Sequence, residues 1–149
     1  MKIITENKKA MFNYQVLEKF KAGVVLTGQE VKSIKLGRIS LAGSFVIMRG
    51  EELFLIGATV PPYQPKNLTT EYNPAHSRKL LLHKAEIKQI IGKALQKGLT
   101  MVPLIVYNDS GKVKIEFGIV KGKKKADKRE KIKKKDIDRE IDRALKSQR

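Results

Sequence analysis

The hydrophobic positions of this chain fall mainly into short stretches with the alternation that is typical of β-strands. From Tyr14 to Lys21, mostly apolar residues at even positions alternate with mostly polar residues at odd positions. Gly23 then precedes the apolar stretch Val24 to Leu26. This pattern predicts a strand, a turn and a second strand. A helix over residues 14–20 is the competing interpretation.

Two further segments have the pattern of β-hairpins. In residues 44–60, β-branched and aromatic runs flank the turn residues Arg49, Gly50 and Glu51. In residues 100–120, the turn Asn108 to Gly111 separates two apolar stretches, and the second of these alternates with charged residues. Four strands are therefore predicted here.

Helical spacing occurs in two places. Residues 29–36 predict a short helix that ends at Gly37, and residues from about His83 to Gly98 predict a longer amphipathic one. The polar start Met1 to Ala10 predicts an irregular basic arm. The prolines from Pro61 to Pro74 predict a long loop.

Five or six strands, one short helix and one longer helix indicate a mainly β fold. We expect a small antiparallel OB-like β-barrel with two or three flanking helices, because closure protects the strand edges. An RRM-like α/β sandwich is the alternative, although its helices should alternate regularly with four strands. The expected domain covers residues 1–120.

Residues 121–149 have a different composition. They contain fourteen Lys or Arg against six Asp or Glu, and few apolar side chains. Such a segment cannot build a core, so we expect a basic tail that is disordered until it is bound. The body is also basic, because the whole chain has a formal net charge of +17. Nucleic acid is the favoured partner, with an acidic membrane surface as the alternative.

Other classes of function have little support. The chain has no cysteine and only two histidines, His76 and His83, with no carboxylate in local register to orient either ring. We therefore expect no enzyme activity, no cofactor and no metal site. Apolar runs are too short for a membrane helix and no signal peptide is evident, so a cytoplasmic protein is expected.

Several basic and aromatic groups suit contacts with phosphates and bases. They are Asn7 to Lys9, Lys32, Lys35, Tyr63, Arg78, Lys79 and Lys121 to Lys125. Alternatives remain open for two of them. Tyr63 could be a loop aromatic packed on prolines, and Arg78 with Lys79 could form a solvated start of a helix.

The chain resembles the family of small protein B, the SsrA-binding proteins of bacterial trans-translation, which bind transfer-messenger RNA. The resemblance runs from Asn7 into the tail, in the order and spacing of that family. It lies in NKKA (7–10), LTGQEVKSIKLG (26–37), the Pro62–Tyr63 pair, RKLLLHKAEI (78–87) and GKKKADKRE (122–130).

This resemblance implies an OB-like barrel that grips the elbow of the tRNA-like domain of transfer-messenger RNA. Together with its alanyl charge and elongation factor Tu, the RNA is carried to a stalled ribosome. Alanyl-tRNA synthetase is thus an indirect partner. The tail would enter the empty mRNA channel near the decoding centre of the small subunit and fold there as a helix. A monomer is expected.

The resemblance also implies the site residues. Those expected at the RNA from the resemblance are Asn7, Lys8, Glu30, Lys32, Tyr63, Arg78, Lys79, Leu80, Lys121, Gly122 and Lys124, and the basic groups above add Lys9 and Lys123. Those expected at the ribosome are Asp127, Lys128, Arg129, Ile137, Ile141 and Leu145. Glu30 either accepts hydrogen bonds from the RNA or holds neighbouring lysines in place. The family usually has Arg at the position of His76 and Trp at that of Gln29, and both residues are left out of the set.

In the tail, Ile137, Ile141 and Leu145 lie at successive four-residue steps, so a helical tail would carry one narrow apolar stripe that needs a partner.

The chief rival function is a general single-strand RNA-binding OB-fold translation factor that stacks exposed bases. A second rival is an RNA-modifying or RNA-cleaving enzyme that uses His83 or Glu30.

Overall fold

The computed structural model describes residues 1–64, 72–94, 96 and 98–123. These residues form seven strands and three helices. In chain order they are β1 (Lys2–Glu6), α1 (Lys8–Asn13), β2 (Tyr14–Val24), α2 (Gly28–Lys35), β3 (Phe45–Arg49), β4 (Glu52–Ile56), β5 (Arg78–Leu81), α3 (Lys84–Ala94), β6 (Leu99–Asp109) and β7 (Lys112–Gly122).

Six of the strands close into an antiparallel barrel. The strand β6 pairs with β3, and the pairing continues through β4, β5, β2 and β7 back to β6. The remaining strand, β1, pairs with the second half of β6 beyond the contact with β3. This closed sheet confirms the expected mainly β, OB-like barrel with three flanking helices.

The two long strands β6 and β7 show why this sequence closes a barrel. Residues Met101 to Tyr107 of β6 are buried, because both faces of the strand are covered: Met101 and Val106 pack in the main core, and Val102 and Leu104 pack in a second cluster with α1. The register shifts between Pro103 and Ile105, where proline has no N–H to donate. Ser110 and Gly111 both have positive φ, as a two-residue hairpin turn requires. The second predicted hairpin is therefore confirmed.

The first predicted hairpin and both predicted helices are also confirmed. Strands β3 and β4 pair from Phe45↔Ile56 to Arg49↔Glu52, and Gly50 in their turn has φ +64°. Helix α2 begins with a capping box between Thr27 and Glu30. The helices end before Gly37 and Gly98, both of which have positive φ.

The barrel interior holds the main core. The rings of Phe20 on β2 and Phe117 on β7 stack with centroids 5.7 Å apart. Ile34 of α2 and Ile90 of α3 are almost fully buried in the same cluster, so each helix contributes its apolar face to the barrel.

Three sequence expectations about elements were wrong. The N-terminal arm forms β1 and α1, because its residues find partners on β6 that lie 96 to 106 positions further along the chain. The expected turn at Gly23 is absent, since β2 continues to Val24 and pairs with β5 there. Strand β5 was missed, because its four residues include two cations and are too few to show a period.

The expected boundary at residue 121 falls inside β7. Lys121 pairs with β2 and β6, and Gly122 pairs with β2, so both belong to the barrel. The rest of the predicted tail, from Lys124 to Arg149, lies outside the described residues, as do residues 65–71. Within the described part of the chain, no helix is long and apolar enough to cross a membrane.

Candidate nucleic-acid interface

Arg78 at the start of β5 is the centre of a buried polar cluster. Its Nε donates to Glu30 Oε2 at 2.8 Å, and its Nη2 lies 2.7 Å from the same oxygen. The remaining donors reach backbone carbonyls of Ala58, His76 and Pro74 at 2.8 to 3.0 Å. All five guanidinium N–H groups thus have acceptors. Because Arg78 is only 2% exposed and lies with Lys79 in β5, the alternative of a solvated helix start is wrong.

Glu30 links this cluster to α2. Its Oε1 accepts from the backbone N–H of Thr27 at 3.0 Å, while its Oε2 faces Arg78 and His76. Burial raises the pKa of the Glu30 carboxyl, but the hydrogen bond from Thr27 and the bonds and charge of Arg78 more than offset burial, so the pKa is lowered overall. Glu30 is therefore a buried carboxylate that holds an arginine and a histidine. The idea that it holds neighbouring lysines was wrong.

Two aromatic rings complete the cluster. The Nε2 of His76 lies 2.9 Å from Glu30 Oε2, and its Nδ1 lies 2.9 Å from the carbonyl oxygen of Ser77. The hydroxyl of Tyr72 donates to the carbonyl of Val60 at 2.7 Å. The four side chains of Glu30, Tyr72, His76 and Arg78 are called the Glu30 cluster below.

The Glu30 cluster anchors the segment that carries Tyr63. The carbonyls of Ala58 and Val60 accept from Arg78 and Tyr72, and that of Pro61 accepts from Ser33 of α2 at 2.7 Å. Tyr63 follows directly and is half-buried, with the Nζ of Lys32 5.6 Å from its ring centroid. An ammonium group at this distance from a ring makes a cation–π contact. A fixed backbone thus presents one aromatic ring and one cation at the surface.

A second arrangement places cations on α1. Asn7 is buried; its Oδ1 accepts from the N–H of Ala10 at 3.2 Å, and its Nδ2 donates to the carbonyl of Pro103 at 2.9 Å. These bonds fix the N-terminus of α1 against β6. Lys8 and Lys9 in the first turn of α1 are exposed.

The same helix meets the end of β7. The backbone N–H of Lys123 donates to the carbonyl of Asn13 at 3.1 Å, and its Nζ donates to the carbonyl of Met11 at 3.2 Å. Lys121 and Gly122 are exposed beside this contact. The lysines of α1 and of the β7 end are called the α1–β7 lysines below. They are Lys8, Lys9, Lys121 and Lys123.

The residues predicted to contact RNA therefore separate by environment. Asn7, Glu30, Arg78 and Leu80 are buried and hold elements in place. Lys79 points outward from β5 and pairs with Glu52 at 3.1 Å. The exposed or half-buried candidates are Lys8, Lys9, Lys32, Tyr63, Lys79, Lys121, Gly122 and Lys123. Lys124 and the six candidate tail residues lie outside the described part of the chain.

Sequence reasoning missed Tyr72, His76 and Ser33 as parts of this site. Only the pattern Thr27-x-x-Glu30, typical of a capping box, was available to indicate that the Glu30 carboxylate serves its own helix. His83 is exposed directly before α3, and its backbone N–H donates to the Glu86 carboxylate at 3.4 Å. Over residues 1–64, 72–94, 96 and 98–123, no group of His, Cys, Asp and Glu could hold a metal ion.

These features define a class: a small closed β-barrel with cationic surfaces, one of which includes an aromatic ring. Comparison with known proteins gives the family. The family model for SmpB protein matches residues 4–147, so the chain belongs to the SmpB family.

Curated relatives agree over nearly the whole length. An SsrA-binding protein of Acetivibrio thermocellus is 49% identical over 145 residues, which are 97% of this chain and 94% of that protein. An SsrA-binding protein of Carboxydothermus hydrogenoformans is 48% identical over 146 residues, or 98% of this chain and 97% of that protein.

A solved structure described as "tmRNA-SmpB: a journey to the center of the bacterial ribosome" has the same fold. Its matching chain is 39% identical, with a TM-score of 0.68. The match covers 86% of this chain and 93% of that one. The barrel expected from the sequence is therefore the fold of this family.

Proposed function

We propose that this protein binds the tRNA-like domain of transfer-messenger RNA and brings it to stalled ribosomes. Family membership and the relatives' name, SsrA-binding protein, support this function. The observation that carries the proposal is the anchored pair of Lys32 and Tyr63, which the Glu30 cluster holds at the surface. Such a pair offers a phosphate contact beside a ring on which a base or sugar can stack.

The barrel recognises the RNA by shape. The Lys32–Tyr63 pair and the exposed lysines Lys8, Lys9 and Lys121 lie on elements held by buried or partly buried hydrogen bonds, so their spacing is set before RNA arrives. Folded RNA displays phosphates in a fixed geometry, which preorganised lysines match at a low entropic cost. Asn7, Glu30, Arg78 and Leu80 position these groups from below the surface and do not themselves touch the RNA.

Delivery requires further partners. The RNA carries alanine, added by alanyl-tRNA synthetase, and travels with elongation factor Tu. The basic C-terminal tail, including Asp127 to Arg129 and the stripe Ile137, Ile141 and Leu145, enters the empty mRNA channel near the decoding centre. It becomes helical there. The process takes place in the cytoplasm, and the protein acts as a monomer without catalysis of its own.

Binding of a transcript of the tRNA-like domain across salt concentrations tests the proposal. The double variant K32A/Y63A should weaken binding by about ten- to a hundredfold, because a cation contact and a stacking contact of about 1–3 kcal/mol are lost together. The matched control K84A/K88A removes two exposed lysines of α3 and should change affinity far less.

A homopolymer competitor separates the proposal from its rival. A general single-strand binder would prefer the homopolymer to the folded transcript, and that result would contradict shape recognition. Equal losses in K32A/Y63A and K84A/K88A would also contradict it, because they would show that only net charge matters.

A further inference from the structure

The outer face of the barrel carries a cavity of about 230 Å³ at the edge of α1. Thr100 and Val102 of β6 line its floor, and Val102 packs with α1 in the second apolar cluster. Phe45 of β3 lines one side. Because its neighbour Val46 packs in the main core, the Phe45 side chain points away from the barrel interior. This space is called the Phe45 cavity below.

Aromatic side chains stand on two sides of the Phe45 cavity. Phe45 is 42% exposed, so solvent reaches its side chain. Tyr14, the first residue of β2, also lines the cavity and is half-buried. Strands β3 and β2 are separated by the pair β6 and β7, so the two aromatic residues flank the floor from different strands. A planar ring system that entered the cavity would find an aromatic ring to stack on.

Hydrogen-bonding groups line the same space. The side chains of Asn13 at the end of α1 and of Thr100 on β6 are among them. An amide and a hydroxyl can each donate and accept hydrogen bonds, so they can pair with the edge of a nucleobase. Asn7 and Ser44 also line the cavity, but their side chains bond to backbone carbonyls and so hold the wall in place.

The charge around the Phe45 cavity is positive. Lys9 of α1 lines it directly, and none of the described residues that line it is acidic. Lys8 is exposed next to Lys9 in the first turn of α1. Lys123 is tied to the wall, because its backbone N–H donates to the carbonyl of Asn13 at 3.1 Å. The phosphate of a nucleotide whose base entered the cavity would therefore meet lysines on this side.

The volume of the Phe45 cavity limits the class of ligand. Pockets for whole drug-sized ligands measure about 300–1,000 Å³, so a cavity of about 230 Å³ suits a single ring system. Proteins recognise RNA loops by stacking unpaired bases on aromatic side chains and by bonding the edges of those bases. Aromatic, polar and cationic groups around one small cavity match such a nucleotide. An apolar protein side chain would leave the polar and charged groups unused.

We propose that the Phe45 cavity holds one unpaired base of the bound RNA, stacked on Phe45, with its phosphate beside Lys9. This inference rests on the proposed function and adds a base contact to the recognition of phosphates by shape. It brings β3, in which no candidate residue was predicted, into the RNA-binding surface.

Affinity of the full chain for the tRNA-like transcript tests the contact. F45A should weaken binding by about five- to a hundredfold, which is the range for the loss of one stacked base. F45W keeps an aromatic ring and should stay near the wild-type affinity. L81A is the matched control, because it removes an apolar side chain of β5 that is 52% exposed, and it should leave affinity unchanged. Wild-type affinity in F45A, or an equal loss in L81A, would overturn the inference.

A set of transcripts, each lacking one unpaired base but keeping its backbone, separates a direct contact from an effect on folding. The wild-type protein should bind one of these transcripts more weakly than the intact one. F45A should bind that transcript and the intact one equally, because the contact is already lost. If no transcript binds more weakly, or if F45A shows the same difference as the wild type, Phe45 does not hold a base.

Free nucleotides give a readout that does not depend on the transcript. In NMR titrations of the full chain, at least one of the four nucleoside 5′-monophosphates should shift the signals of Phe45 and Thr100 more than ribose 5-phosphate does. Equal shifts with ribose 5-phosphate would show a phosphate site without base recognition and would contradict the inference. Shifts specific to a nucleotide, in a protein that fails to bind the transcript, would instead refute the proposed function.

Discussion

Arg78 is a charged side chain at a buried position, where apolar side chains are the rule. It is almost fully buried, and it is satisfied by one carboxylate and three backbone carbonyls. The acceptors come from α2, the segment before Tyr63 and the segment before β5. One side chain thus connects α2 to these two segments, which are also joined to each other by the bond from the Val60 N–H to the Pro74 carbonyl.

Removal of the guanidinium should be costly. R78M removes the cation paired with the buried Glu30 carboxylate and the donors that Arg78 supplies to three carbonyls, so we expect a loss of about 3–5 kcal/mol in the free energy of unfolding. Urea denaturation measures this loss. The neighbouring variant K79M breaks only an exposed ion pair with Glu52 and should cost at most about 1 kcal/mol.

The double variant E30M/R78M removes both charges together. It should be more stable than R78M, since no buried carboxylate is left unpaired. If the stability losses of E30M and R78M added up to the loss of the double variant, the view that Glu30 and Arg78 act as one pair would be contradicted.

The lowered pKa of Glu30 predicts a stability that depends on pH. In the unfolded chain a Glu titrates near about pH 4.3, whereas in the folded protein its pKa lies lower. The unfolded state therefore binds the proton first as the pH falls. The stabilisation is complete above about pH 5 and is lost as the pH falls through the folded-state value.

Urea titrations of wild type and E30Q from pH 7 to pH 3 measure this effect. The difference in unfolding free energy between them should be constant above about pH 5 and shrink below it. E51Q alters an exposed turn residue and should show little difference from wild type throughout. A difference between E30Q and wild type that grew on acidification would contradict the assignment.

At the scale of elements, β2 and β7 depend on a close approach at Gly118. A Cβ atom there would lie 3.1 Å from side-chain carbons of Leu104 and Val16 and 3.2 Å from the carbonyl oxygen of Glu18. The register of β2 and β7 shifts between Val16 and Glu18 at the same place. A glycine allows the backbones to meet at this irregular point.

G118A should therefore destabilise the barrel. The backbone oxygen of Glu18 cannot move without disturbing the pairing, so we expect a loss of about 1–3 kcal/mol in unfolding free energy, measured by urea denaturation. G122A is the control on the same strand, where a Cβ meets nothing within 4 Å, and it should change stability by less than about 0.5 kcal/mol. Equal stability of the two variants would contradict the steric argument.

At the scale of the whole molecule, two cationic surfaces and a basic tail share one short chain. The tail begins where β7 ends, beside α1, because Lys123 bonds to the carbonyls of Met11 and Asn13. The α1–β7 lysines thus lie close to the start of the C-terminal tail. In the proposed function, the barrel binds the RNA and the tail contacts the ribosome.

Deletion of Asp127 to Arg149 tests this division. The barrel keeps all its described contacts, so affinity for the tRNA-like transcript should fall little, with a smaller salt dependence than in wild type. Peptide tagging on stalled ribosomes should be abolished, as measured in a reconstituted translation reaction. Loss of RNA binding in the truncated protein would show that the tail holds the RNA.

Much of the fold could be predicted from the sequence because its signals are local. Hairpin turns at Gly50 and Gly111 and the apolar spacing of α2 and α3 depend on residues that are close in the chain. The cationic character was equally evident. Elements stabilised by distant partners were missed or misread, as for β5 and the first ten residues.

The sequence by itself determined a basic, mainly β protein, the order of most of its elements and the family it resembles. Only the tertiary structure decided which candidate residues face solvent and which are buried. Glu30 and Arg78 are 48 positions apart, and their pairing depends on barrel closure, which brings α2 against the start of β5. Periodicity reports which face of an element is apolar, but it carries no information about the partner of a buried charge.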